Sequence, residues 1–317
     1  MFLSGFPKPT ELHIPDGFLS LAVALVSWLI TAVLLGIAVN KSRKELNERQ
    51  IPLMGVMAAF IFAAQMINFP VAGGTSGHFL GGALAAIVLG PWAGMLVMAS
   101  VIGVQALLFQ DGGLLVMGAN ILNMGLLTAL IGYGLYRMVA GKPKGVRYSV
   151  TGLAAWLAVM AGALATSIQL WLSNTSPANF VFPAMLGVHT LIGIGEALVT
   201  VAAVAFIEQV RPELMSTQAV QARGGRGWVV GGVLISAIVV LLSPFASANP
   251  DGLERVAEDL NFLSVGQDAP YQILPDYTIP FLGETGVSTI LAGVVGAAVV
   301  AGLAILIGRA LRTRQRV

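Results

Sequence analysis

The chain predicts an all-α polytopic membrane protein, and three observations carry that prediction. Of its 317 residues 56% are hydrophobic and only 10% charged, against about 25% charged in soluble domains, and mean hydropathy is +0.85. Apolar runs of about 20 residues, the length that spans a bilayer, recur from residue 18 to residue 308. The basic residues cluster in every second link between those runs. The absence of cysteine excludes disulfides, thiolate zinc sites and iron–sulfur clusters, and leaves the redox compartment unread. The 38 glycines suit closely packed membrane helices, where small residues let backbones approach.

Residues 1–11 hold two prolines and no apolar core of signal-peptide length, and read as an irregular extension. Apolar spans are predicted over about 18–39 and 51–69, joined by a loop with Lys41, Arg43, Lys44 and Arg49. A glycine-rich link, 72–77, follows. The stretch 79–109 is too long for one span and short for two; Gly90-Pro91 ends a helix there, so it divides into 79–89 and 91–109. Gln110-Asp111-Gly112-Gly113 is a turn. Further spans are predicted over 116–136, 149–172, 184–207, 227–245 and 286–308, with a loop at 173–183 and a long polar segment at 247–284.

Nine crossings place the two ends on opposite sides. Fifteen of the seventeen Lys and Arg residues then fall on one side, with only Lys8 and Arg255 on the other. The positive-inside rule makes the fifteen cytoplasmic. Were 79–109 a single crossing, the loops at 41–49 and 137–147 would face opposite sides and the bias would vanish, so 79–89 must cross or nearly cross. The expected topology has the N-terminus outside and the C-terminus in the cytoplasm.

The sequence contains three histidines. His13 opens His13-Ile14-Pro15-Asp16-Gly17, which a proline stiffens and a turn or cap signal closes. His78 follows Gly74-Thr75-Ser76-Gly77, small residues that admit another backbone. Both fall on the outer side in this topology. Imidazole suits nickel, cobalt, copper and zinc, but two imidazoles alone make a weak site, and ordinary interface hydrogen bonds are an equally natural use of them. His189 lies inside a span, seven residues from Glu196 on the same helical face. Glu196 is the carboxylate deep in an apolar run, and such groups are functional by default. The pair reads either as a packing contact with Asn120, Asn123 or Gln169, or as part of inward passage or coupling. The twelve methionines read as core filling rather than a soft-metal path.

His13-Ile14-Pro15-Asp16-Gly17-Phe18, Gln65-Met66-Ile67-Asn68-Phe69-Pro70-Val71, Gly73-Gly74-Thr75-Ser76-Gly77-His78, Leu89-Gly90-Pro91-Trp92 and Gly187-Val188-His189-Thr190-Leu191-Ile192-Gly193-Ile194-Gly195-Glu196-Ala197 follow one another in order. Together they resemble the substrate-binding membrane subunit, or S component, of cobalt/nickel energy-coupling-factor transporters of the CbiM/NikM type, over about residues 12–226. The resemblance implies a bundle of about seven helices that holds Ni²⁺ or Co²⁺ at its extracytoplasmic end. It implies a planar ligand set of the N-terminal amine, the amide and imidazole of a second-position histidine, and a further histidine. The histidines match His13 and His78. Members of that family begin Met-His, whereas here eleven residues and Leu12 precede His13. A leucine codon can serve as a bacterial start, so the expectation is that translation begins at Leu12, whose amine would complete fused chelate rings. Asn68, Ser76, His189 and Glu196 are expected around the site or in coupling.

Residues 227–317 read as a second unit with two membrane helices and an external loop. Pro250-Asp251-Gly252-Leu253-Glu254 opens that loop and resembles the PDGLE-type small subunit of nickel/cobalt transporters. Asp251 and Glu254 have capping-box spacing, and Leu253, Val256, Leu260 and Leu263 recur on one helical face. Residues 247–284 carry seven carboxylates and one arginine. This is either a solvated acidic loop or a cover that raises local cation concentration and aids loading.

The chain has no phosphate-binding Gly-x4-Gly-Lys-Ser/Thr loop. The expected function is therefore the metal-binding component of an ATP-driven importer, with energy from separate ABC ATPase subunits through a membrane coupling subunit, the T component. Ala32 and Gly36, four apart on the first span, would suit that docking. The metal ion is cargo, no cofactor is expected, and the partners are those subunits and the lipid of a prokaryotic cytoplasmic membrane, with no nucleic acid. An intramembrane metallo-enzyme would want three protein ligands and a base, and the sequence has no His-Glu-x-x-His. A passive channel would carry metal without ATP.

Overall fold

A computed structural model describes residues 13–212 and 227–313. Long helices dominate it: α1 (Leu21–Glu45), α2 (Gln50–Gln65), α4 (Pro91–Val104), α6 (Thr128–Val139), α7 (Lys144–Leu172), α8 (Ala178–Val210), α9 (Gly227–Leu242) and α11 (Gly286–Thr313). Shorter helices are α3 (Gly82–Leu89), α5 (Met117–Asn120) and α10 (Gly252–Asp259). Among the described residues seven helical stretches are long and apolar enough to cross a membrane, and α2 is a shorter apolar one. Their lipid-type surface is plain on α1, where Leu21, Leu25, Leu29 and Val33 are exposed while Ala24, Ser27, Thr31 and Ala38 are buried. Small residues on the inward stripe let α1 close on its neighbours: Thr31 donates to the Gly118 carbonyl at 2.7 Å.

Between α2 and α3 the chain makes a two-stranded antiparallel hairpin, β1 (Phe69–Val71) and β2 (Thr75–Gly77), with Phe69 opposite Gly77. Its turn needs Gly73 and Gly74, at φ 76° and 72°. The eight residues of α3 are all buried. Such a helix rises only about 12 Å, against a hydrocarbon core of roughly 30 Å, so it does not cross by itself. At its far end the Leu89 carbonyl accepts from the Gln50 side chain, and a cavity of about 390 Å³ is lined by Glu45, Gln50, Leu89, Gly90 and Arg137 together. The loops at 41–49 and 137–147 therefore share one end of the bundle, the arrangement that the charge pattern requires.

Two boundaries differ from expectation. α7 starts at Lys144 behind Pro143, and α8 starts at Ala178 behind Pro177, which shortens the expected 173–183 loop. Pro183 lies inside α8 at its sixth position, where it forgoes one intrahelical hydrogen bond. α4 and the segment after α5 end in π-helical turns, Gln105–Phe109 and Ile121–Leu127. Such turns re-aim side chains and recur at functional sites.

In the C-terminal unit α9 and α11 pack along α2. α11 comes close because Gly296 faces Phe62: a Cβ there would lie 2.0 Å from the ring. α10 has the expected capping box between Asp251 and Glu254. Leu253 and Val256 are buried by its apolar face, whereas Leu263 is exposed. Residues 1–12, 213–226 and 314–317, and with them Leu12, Arg223, Arg226, Arg314 and Arg316, lie outside the described residues.

Candidate metal centre

The segment that carries His13 is fixed by its neighbours in sequence. Asp16 accepts from the backbone N–H groups of Leu114, Leu115 and Val116, at 2.9–3.1 Å. Asn120 brackets Ile14, accepting its N–H and donating to its carbonyl, both at 3.0 Å. Gly17, at φ 91°, passes under Val265, where a Cβ would meet a carbonyl oxygen at 2.1 Å. Asp16 also bridges to Gln267 of the C-terminal unit. The Pro-Asp-Gly turn thus pins His13 between the 111–116 turn and the 263–267 segment.

His78 is set from the other side. Glu196 of α8 accepts from the N–H groups of Leu80 and Gly81 at 2.7 and 3.0 Å, at the N-terminal end of α3. Ser76, two residues before His78, donates its N–H to the Pro250 carbonyl and its hydroxyl to that of Asn249, each at 2.8 Å. The Asn68 carbonyl accepts from Ser247 at 2.8 Å. Both Asn68 and Ser76 therefore strap the hairpin to the C-terminal unit.

The two imidazoles meet. Their ring centroids are 6.0 Å apart at an interplanar angle of 70°, and the residues are only 2% and 8% exposed. Nε2 of each is buried with no hydrogen-bond partner. His13 Nδ1 lies 2.9 Å from an Asp111 carboxylate oxygen and 3.1 Å from the Asp111 carbonyl; both are acceptors, so Nδ1 carries a hydrogen. His78 Nδ1 lies 3.8 Å from Asp251. A cavity of about 60 Å³ beneath them is lined by His13, His78, Asn123, Thr166, His189 and Asp251, among others.

Electrostatics separates the two rings. Burial pushes His13 down, but the charge and hydrogen bonds of Asp111 outweigh it and leave the imidazole above its usual 6.5. Burial, reinforced by His13, pushes His78 down to about 3, so that ring is neutral. Burial raises Asp251 to about 7, against the opposing hydrogen bond from Glu254.

His189 does not pair with Glu196, and neither reaches Asn120, Asn123 or Gln169 in the way expected for a packing pair. The His189 Nδ1 contacts the Met185 carbonyl at 2.7 Å. Glu196 is committed to the α3 N-terminus, while Asn123 and Gln169 exchange amide hydrogen bonds with each other. One face of α8 holds both residues, but a full two turns separate them along the axis. Sequence reasoning missed Asp111, read only as a turn residue, and Tyr277, whose hydroxyl donates to Asp111 at 2.5 Å. It assigned Asp251 to helix capping and gave it no place beside His78. Among the described residues no three His, Asp or Glu side chains form a ready metal cage. The nitrogen donors this cluster could offer a metal are the two imidazoles.

A buried histidine pair lies at one end of an all-α polytopic membrane bundle, strapped by a C-terminal two-helix unit. The chain belongs to the cobalt uptake substrate-specific transmembrane region family, CbiM, which matches residues 13–214; a PDGLE domain matches residues 226–313. A relative from Archaeoglobus fulgidus, assigned as a fused nickel transport protein NikMN, is 33% identical over 95% of this chain and 100% of its own length. The fused nickel transport protein NikMN of Rhodobacter capsulatus is 28% identical over 96% of this chain and 99% of its own. The crystal structure of a truncated transition metal transporter aligns with TM-score 0.56 and 34% identity, covering 62% of this chain and 98% of that one. The protein is thus a multi-pass member of a nickel and cobalt transport family.

Proposed function

We propose that this chain is the substrate-specific component of an ATP-driven energy-coupling-factor importer, capturing Ni²⁺ or Co²⁺ at the outer face of a prokaryotic cytoplasmic membrane through His13 and His78. One observation carries the reading: two buried imidazoles 6.0 Å apart, each with an Nε2 that nothing else satisfies. Buried polar atoms are ordinarily paired, and a shared cation satisfies both. The side assignment rests on the basic loops collecting at the opposite end.

The Leu12 amine, if translation starts there, is a further ligand in this reading. Asn68 and Ser76 act by holding the PDGLE unit over the site, Glu196 acts by fixing the approach to His78, and His189 lines the chamber beneath. The acidic 247–284 loop covers the mouth and raises the local cation concentration. Partners are the coupling T component and ABC ATPase subunits, and the exposed Ala32–Gly36 face of α1 is free to receive one of them. Nickel is favoured over cobalt because the full-length relatives are named for nickel.

The test is uptake into proteoliposomes. With coupling and ATPase subunits present, ATP should drive Ni²⁺ accumulation, and removing ATP should stop it. Flux that persists without ATPase subunits would support a passive channel instead. Turnover of a substrate by the purified chain would support an intramembrane metallo-enzyme.

A further inference from the structure

A crevice of about 730 Å³ opens between α2, α8 and α9, lined by Val56, Phe60, Val199, Phe206, Trp228 and Ile235 among others. It shares no lining residue with the chamber beneath the histidines. Glycines shape one wall. Gly232 lets α9 close on α2, where a Cβ would lie 2.3 Å from Val56. Beside it, a Cβ on Gly231 or Gly227 would meet nothing within 4 Å, so that face of α9 borders open space. On the α8 side Phe206 and Val210 stay half exposed. Among the described residues that line the crevice, Arg211 alone is charged. Its guanidinium lies 5.8 Å from the centre of the Trp228 ring. Both stand at the end of the bundle where Arg147, just past the start of α7, pairs with Glu208 at 2.8 Å.

We propose that this crevice is a binding site for one anionic phospholipid, its phosphate on Arg211 and an acyl chain laid between α8 and α9. Depth argues for a lipid. From Val199 to Arg211 α8 rises about 18 Å, slightly more than half of a hydrocarbon core of roughly 30 Å. That is the reach of a lipid in one leaflet. A membrane-spanning helix from a partner would need the full depth. The level of the charge agrees, because Trp and Arg gather where hydrocarbon gives way to headgroups. A guanidinium presents a planar fork to phosphate oxygens, and basic pockets between membrane helices select anionic headgroups. The lipid fills the space that the side chains leave, and so joins α8 of the CbiM region to α9 of the PDGLE unit within the membrane.

The experiment uses the full 317-residue chain, delipidated in a neutral detergent and titrated with phosphatidylglycerol or phosphatidylcholine. Native mass spectrometry counts the bound lipid, and the thermal midpoint reports its effect. The wild type should retain one phosphatidylglycerol, bound about fivefold tighter than phosphatidylcholine, with a raised midpoint. Arg211→Gln should bind the two lipids equally. Gly231→Leu fills the crevice with its own side chain; it should lose both the bound lipid and the rise in midpoint. Gly302→Leu, on an exposed face of α11 where a Cβ also meets nothing, should behave as the wild type. Equal affinity of the wild type for the two lipids, or undiminished phosphatidylglycerol binding by Gly231→Leu, overturns the proposal. It falls equally if Gly231→Leu keeps the lipid but no longer assembles with a coupling subunit, since the crevice then receives protein. Should Gly231→Leu fail to fold, the comparison of the two lipids on the wild type and Arg211→Gln decides.

Discussion

Glu196 on α8 accepts the backbone N–H of Leu80, 116 residues away in sequence, at 2.7 Å, and its second oxygen takes that of Gly81. A carboxylate buried in the membrane region thus holds the backbone that leads into a short enclosed helix, two and three residues beyond His78. Glu196→Ala would leave two buried donors unpaired, at about 1–3 kcal/mol each. The thermal midpoint should fall by several degrees, and Ni²⁺ binding should weaken with it as His78 loses its register. Glu196→Gln keeps one acceptor oxygen and should fall between. Melting curves of the three proteins check this, and an unchanged midpoint in Glu196→Ala would count against that anchoring role.

His189 lines the cavity but its Nδ1 is engaged with the Met185 carbonyl one turn back. His189→Ala should retain most of the Ni²⁺ affinity, whereas His78→Ala should abolish tight binding. Isothermal titration distinguishes them; equal losses would mean that the site sits deeper than His13 and His78.

The strap between the hairpin and the C-terminal unit should govern release. Ser76→Ala removes the hydroxyl bond to the Asn249 carbonyl and keeps the backbone bond to Pro250. A neutral hydrogen bond contributes about 1 kcal/mol net, roughly a fivefold change. Stopped-flow chelation should show Ni²⁺ leaving Ser76→Ala several-fold faster, with little change in the initial capture rate. Identical release rates would remove the strap from the account.

Of the two histidines, His13 should carry the pH dependence of binding, with Asp251, raised to about 7 beside His78, titrating in the same range. A metal takes the deprotonated imidazole. His78 sits at about 3 and is neutral throughout the neutral range, whereas Asp111 holds His13 above 6.5. Affinity should therefore be complete above the raised His13 value and fall as pH drops through it, with proton release in that window. Calorimetry in buffers of different ionisation enthalpy counts the protons; none released on binding would contradict His13 as a ligand.

Much of this was legible in the sequence because bilayer physics is. Apolar run length marked out the seven long apolar helices, and Gly90-Pro91 placed the break between α3 and α4. His13 and His78 were singled out by scarcity and by the motifs around them. The polar partners were not legible. Asp111 and Tyr277 are 166 residues apart, and nothing in their local spacing says that they meet. Asp251 was read correctly as a helix cap, a local relation, but its approach to His78 is set by tertiary packing. Glu196 and His189 share a helical face, which periodicity reveals, yet their partners come from other elements, which periodicity cannot.

The central claim is that one ion is gripped by two imidazoles from distant parts of the chain. X-ray absorption on the Ni²⁺-loaded protein tests it most directly, because outer-shell imidazole scattering counts the rings. The account predicts two imidazoles in the wild type and one in any metal retained by His13→Ala or by His78→Ala. An unchanged imidazole count in either variant, or none in the wild type, would contradict it.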